Sequence, residues 1–231
     1  MQFSNLKFTQ HIVSFSFLCT GLTTAYLGLQ SYGTQAVLSR ISTGEQIPAA
    51  EIHALMLSLA TIESFANIIL VATAISMLTF LFWLYKSYKN LSVLCQIPAK
   101  FSPVWAVAWF FIPILNLYKP YQVMLELWQQ TFAQDTRQNF AVKHGPRIIQ
   151  LWWLTNVANQ ITSFMTNGAA DQVKTITNQS FAEVAHQYLP LMQFITLSSL
   201  LSLLVIAGFI FLIFMITETQ KLKAQQLNTI K

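Results

Sequence analysis

The chain predicts an all-α, polytopic membrane protein: four transmembrane helices with a cytoplasmic-side helical hairpin, re-entrant or interfacial. Three observations carry this. Of 231 residues, 54% are hydrophobic and only 9% charged, with a mean hydropathy of +0.50, whereas a soluble domain typically carries about 25% charged residues. The apolar residues come in long blocks, the form of membrane spans. The basic residues sit beside the ends of those blocks and form no long run, so the net charge of +5 reads as membrane topology rather than a nucleic-acid surface. The reading is of a single membrane domain over residues 1–231, with spans at about 8–29, 60–85, 148–167 and 189–216 and the hairpin at about 102–132.

The first block follows Lys7 and is longer than a signal-peptide core, with no small-residue cleavage site after it. It reads as an uncleaved span. Gly21, Thr24 and Gly28 fall on one of its faces and permit close helix packing. Residues 30–50, polar and broken by Gly33, Gly44 and Pro48, read as a loop. The second block has no breaker between residues 49 and 85, so its helix is expected to start near Ala49, with Glu63 toward the outer surface. Lys86, Lys89 and Lys100 then mark a cytoplasmic end.

After the hairpin, two polar and basic stretches read as a cytoplasmic linker: Gln134, Asp135, Thr136 and Arg137, then residues 143–147 (KHGPR). The third span is unusually polar. Helical spacing puts Trp152, Asn156, Asn159, Ser163 and Asn167 on one face. Unpaired amides facing lipid cost several kcal/mol each, so this stripe is expected to face the bundle or a wet cavity. Residues 168–187 read as an outer loop, in which Asn178, Gln179 and Ser180 match a glycosylation sequon. The last span ends at Lys221, Lys223 and Lys231, which places both termini in the cytoplasm.

The hairpin is the most informative stretch. Residues 102–113 (SPVWAVAWFFIP) form an apolar helix with Ser102 as N-cap, Pro103 at the first helical position, and Trp105 and Trp109 on one face. Pro113 stops it, and Asn116 sits in the corner that follows. Pro120 restarts a helix with Tyr121, Met124, Leu125, Trp128 and Phe132 on its apolar side. Gln122, Glu126, Gln129 and Gln130 lie on its polar side, and Lys119 can snorkel to headgroups. The apolar stretch 104–115 is about a dozen residues, against about 20 for a spanning helix. The competing reading, in which the hairpin supplies further spans, therefore fits less well. Two roles remain open: a plug anchored at the interface by its tryptophans, or a re-entrant element lining a site with Asn116, Glu126 and the stripe of the third span.

These residues also carry a resemblance. The pattern FSPxWAVxWxxxPxxNLxxPYQVMxELW from Phe101 to Trp128, flanked by Trp83, Leu84, Tyr85, Asn90 and Leu91 and followed by the pair Trp152 and Trp153, resembles the signature of a bacterial multi-pass membrane family known only as a domain of unknown function. Two positions depart from it: Val104 and Ala108 stand where glycine is expected. The resemblance covers about residues 75–165. It implies an inner-membrane protein and supplies no catalytic residue.

The search for chemistry is otherwise negative. His11, His53, His144 and His186 are scattered. Cys19 and Cys95 form neither a disulfide framework nor a metal-ligand pattern. No phosphate loop, nucleophile elbow or dinucleotide fingerprint occurs, so neither an enzyme nor a cofactor is expected. The span centres lack Asp, Glu, Lys and Arg, which argues against a pump or coupled carrier. The expectation is a membrane scaffold or accessory binding subunit. The alternative is a passive pore or transporter for a neutral or amphipathic molecule, using Asn156, Asn159 and Gln193. Expected partners are the lipid bilayer, other membrane proteins or a second copy of the chain, and not nucleic acid.

Overall fold

The structure, a computed structural model, describes residues 3–94, 98–133, 139–174 and 180–229. Among them every regular element is helical: α1 (Lys7–Ser42), α2 (Ala49–Leu94), α3 (Pro103–Ala108), one 3-10 turn (Leu115–Leu117), α4 (Lys119–Phe132), α5 (Asn139–Lys174) and α6 (Phe181–Thr229). Cys95, residues 134–137 of the linker, Asn178 and Gln179 of the sequon, and Lys231 lie outside the described residues.

Among the described residues three helices, α1, α2 and α6, are long and apolar enough to cross a membrane. Helix α5 is equally long as α1, but its amides dilute its apolar character. Large side chains such as Leu22, Leu70 and Leu204 are exposed along the three apolar helices. An apolar exterior on this scale suits lipid, since soluble monomers rarely expose contiguous patches beyond a few hundred Å².

The helices are longer than the sequence reading. Helix α1 continues through residues 30–42, because the lone interior Gly33 costs only about 1 kcal/mol. The actual stop is Gly44, whose φ of +80° is a left-handed cap conformation. Its N–H and that of Glu45 close back on the carbonyls of Ile41 and Arg40. Helix α2 starts at Ala49, as expected. Helix α5 absorbs both the basic stretch at 143–147 and the first residues of the expected outer loop, with Pro146 inside the helix.

The chain divides into two compact units. Unit 1 comprises residues 1–18, 74–154 and 206–231. At its centre Phe209 meets Phe17, Phe80 and Trp152, with ring centroids 4.7–4.9 Å apart. Phe110 reaches the same cluster through Phe80 at 5.6 Å. A buried polar network runs beside these rings. Asn90 exchanges hydrogen bonds with the backbone of Ser4 and donates to Gln220, and Gln220 donates to the Ser87 carbonyl and the Thr131 hydroxyl. The indole of Trp83 donates to Thr217 at 3.0 Å.

Unit 2 comprises residues 19–73 and 155–205. Its core is hydrocarbon, built on Leu38, Ile41, Leu55, Ile62, Ala169, Ala185, Leu191 and Met192. Gly28 lies against Ser199, where an added Cβ would come within 2.8 Å of the serine Cβ. Gly28, one of the small residues noted on α1, thus serves packing within the chain. Gln35 donates to Thr196 at 2.8 Å, and Arg40 pairs with Glu45 and Glu51 at 2.8 Å each.

Candidate functional site

The hairpin lies wholly in unit 1, and its start follows the sequence logic. The Ser102 side chain accepts from the Trp105 N–H, and Pro103 occupies the first turn of α3. Trp105 and Trp109 share a face, with centroids 5.0 Å apart. The helix is shorter than expected, ending at Ala108 rather than running to Pro113. The segment 109–114 is a series of turns. Its last bond runs from the Leu115 N–H to the Pro113 carbonyl at 2.7 Å, across Ile114 at φ +67° and ψ −51°. That is a γ-turn on a β-branched residue, a conformation costing about 1–3 kcal/mol that persists only when its surroundings impose it. Asn116 sits in the 3-10 turn, its N–H bonded to the Ile112 carbonyl.

The surroundings that impose this shape are the ties at the hairpin's base. Ala106 and Phe110 are buried. The Trp153 indole donates to the Leu117 carbonyl at 3.1 Å. The fully buried Tyr88 donates its hydroxyl to the Val123 carbonyl at 2.6 Å and contacts Glu126 at 3.3 Å. Glu126 also accepts from the Lys100 backbone N–H and from Gln130. Its carboxylate is a latch that ties the segment entering the hairpin to α4.

In α4 the buried stripe is Pro120, Val123, Met124, Leu127, Trp128, Thr131 and Phe132. Tyr121 and Leu125, expected on the apolar side, are half-buried. Trp128 is 1% exposed and its indole donates to the Ala141 carbonyl at 3.1 Å. It is therefore a core residue and not an interfacial anchor. Gly145 makes room for it: a Cβ there would lie 1.9 Å from the indole nitrogen. Pro146 follows at once, and its missing N–H loosens the helix where the indole docks.

The other end of the hairpin is exposed. Val104, Trp105, Phe111, Ile114, Leu117 and Tyr118 are each at least half exposed, Ile114 at 82%. Pro113 is exposed as well, whereas Trp109 is half-buried with an indole N–H that meets no acceptor. The Lys119 ammonium sits 5.3 Å from the Trp109 ring, 5.7 Å from Phe101 and 5.9 Å from Tyr118, and hydrogen-bonds Gln122.

Of the polar stripe of α5, Trp152 belongs to unit 1 and Asn156, Asn159 and Ser163 belong to unit 2. Trp152 is buried in unit 1 among Trp153 and Phe209. In unit 2, Asn156 and Asn159 are half-buried, and Asn159 accepts from Ser202 at 3.1 Å. Ser163 is exposed, and Thr162 takes the buried position. Thr162 returns its hydroxyl to the Ala158 carbonyl.

Sequence reasoning missed the network of Trp83, Ser87, Tyr88, Asn90, Thr131, Thr217 and Gln220. The signal was present as polar residues at helical spacing, four then three, at Trp83, Ser87 and Asn90 within an apolar helix.

No curated protein and no solved structure matches the chain. The sequence model of one family, described as a domain of unknown function (DUF4328), matches residues 48–218. That stretch holds α2, the hairpin, α4, α5 and most of α6, and is wider than the region in which the resemblance was first legible. The chain belongs to this family.

Proposed function

We propose that the protein is a non-enzymatic membrane scaffold or binding subunit of the bacterial inner membrane. It crosses the bilayer four times with both termini in the cytoplasm, and it rests the hairpin at the cytoplasmic interface. The observation that carries this reading is the contrast within the hairpin. Its base is fixed by Tyr88, Glu126 and Trp153, while its tip presents Val104, Trp105, Ile114 and Leu117 to the exterior. A rigidly held apolar tip is suited to enter an interface. Lys86 and Lys89 toward the end of α2, Lys100 beyond it, and Lys221 and Lys223 near the end of α6 support the orientation. With Asn156 and Asn159 half-buried, α5 supplies the fourth crossing.

Cysteine scanning tests the topology. Single cysteines at 104–115 should resist a membrane-impermeant thiol reagent, and those at 134–137, Val142 and Lys143 should react only from the cytoplasmic side. Reaction of the linker from outside would sink the proposal. The pore alternative rests on the half-buried Asn156 and Asn159. Substituting both with Leu should leave a scaffold's function intact and should abolish that of a pore in a protein that still folds. Gentle purification from native membranes, with identification of co-purifying proteins, tests the scaffold role directly.

A further inference from the structure

Beside the exposed tip lies a cleft of about 480 Å³, lined by Lys100, Phe101, Tyr118, Tyr121, Gln122 and Glu126 among others. Lys100 lines the cleft, and Lys119, between the lining residues Tyr118 and Tyr121, approaches the same Phe101 ring at the edge of the cleft. Lys100 Nζ is 5.6 Å and Lys119 Nζ 5.7 Å from the Phe101 centroid. Neither lysine forms an ion pair with a carboxylate among the described residues. The one carboxylate in the cleft, Glu126, is engaged by the Lys100 backbone N–H, Gln130 and Tyr88.

From this arrangement we infer that the cleft is a headgroup site for an anionic phospholipid. Lys100 and Lys119 hold the phosphodiester, and the tip residues Val104, Trp105, Ile114 and Leu117 lie against the acyl boundary. Charge and apolarity select the ligand together. A dissolved anion would need the lysines alone, and would leave the adjoining apolar tip in water. A zwitterionic headgroup offers its phosphate but brings its own cation beside Lys100 and Lys119, where the one carboxylate, Glu126, is already engaged by three donors. The aromatic ring faces around Lys119 hold its chain in place without neutralising it, because a cation–π contact attracts a cation and leaves its charge intact. The proposal rests on the interfacial placement of the hairpin argued above.

The test uses the full-length protein in nanodiscs, in a Cys19→Ser, Cys95→Ser background with an environment-sensitive dye at Val104→Cys. Quenching by brominated phosphatidylcholine reports whether the tip reaches the bilayer. Stronger quenching by brominated phosphatidylglycerol at the same mole fraction reports headgroup selection. Each lysine near a lipid surface is worth roughly a fivefold preference at moderate salt. Lys100→Gln with Lys119→Gln should therefore abolish a phosphatidylglycerol preference of order twentyfold and leave phosphatidylcholine quenching unchanged, which also shows that the variant folds. Lys→Arg at both positions should retain the preference, and about 1 M salt should suppress it. Equal quenching by the two lipids in the unsubstituted protein overturns the headgroup site and leaves the interfacial hairpin standing. A preference that survives the double Gln variant overturns the assignment to these lysines. No quenching by either lipid overturns the interfacial hairpin itself.

Discussion

Unit 1 and unit 2 hold their helices together by different chemistry. In unit 1 the buried polar side chains reach from one helix to another: Trp83 to Thr217, Asn90 to Gln220, Gln220 to Thr131, Tyr88 to Val123. In unit 2 the buried hydroxyls turn back on their own helices, as Thr34 does to Ser31, Thr162 to Ala158 and Ser199 to Ile195. Its helices meet mainly through hydrocarbon, and the polar bonds that do cross between them, Gln35 to Thr196 and Ser202 to Asn159, are only partly buried. Directional bonds between helices fix one arrangement, because a slipped register leaves buried donors unpaired. Apolar contacts tolerate small shifts. The unit that must hold a strained hairpin in one place is the one with the directional bonds.

The largest effect should come from breaking the Trp128 joint. Trp128→Ala removes a fully buried ring and a hydrogen bond, and should lower the stability of the detergent-solubilised protein by about 3–5 kcal/mol. Gly145→Ala drives a methyl group into the same indole and should cost about 1–3 kcal/mol. Because both act on one contact, the double variant should lose clearly less than the sum. Additive losses in thermal or denaturant unfolding would show that the indole and the glycine are independent.

The comparison of units is sharpened by two glutamines. Gln220→Leu in unit 1 leaves Asn90, Thr131 and the Ser87 carbonyl without their partner, and should cost about 1–3 kcal/mol. Gln35→Leu in unit 2 removes a half-buried bond to Thr196, and should cost about 0.6 kcal/mol, the mean for such bonds between membrane helices. Equal losses would erase the distinction drawn between the units. Gln220→Leu should also increase labelling of cysteines in the hairpin, whereas Gln35→Leu should leave it unchanged.

Much of this architecture was legible in the sequence, and the parts that were not share a cause. The apolar helices and the Ser102–Pro103 start are local properties, set by block hydropathy and capping chemistry. The length of α3 was misread because Pro113 looked like the stop, whereas the bonds to Leu117 and Phe110's packing bend the chain four residues earlier. Trp128 was read as an anchor because its partners, Ala141 and Gly145, lie beyond the linker in another helix. Periodicity alone places Ser163 on the inward face of α5, whereas Thr162 is the buried residue there. Long-range partners decide each of these, and no local pattern encodes them.

The smallest effect belongs to the charged cluster at the rim of unit 2. The Arg40 guanidinium bonds Glu45 and holds its carboxyl below the ordinary value of 4.5. A lowered carboxyl contributes stability that is present above 4.5 and is lost as pH falls through the lowered value. The cluster is well exposed, so water and salt screen it, and the contribution is slight. Thermal unfolding of the wild type should therefore show a shallow extra loss below pH 4.5 that Arg40→Gln abolishes. Melting at neutral pH should change less than for any variant above. If the same acid slope persists in Arg40→Gln, the pairing adds nothing to the stability of unit 2.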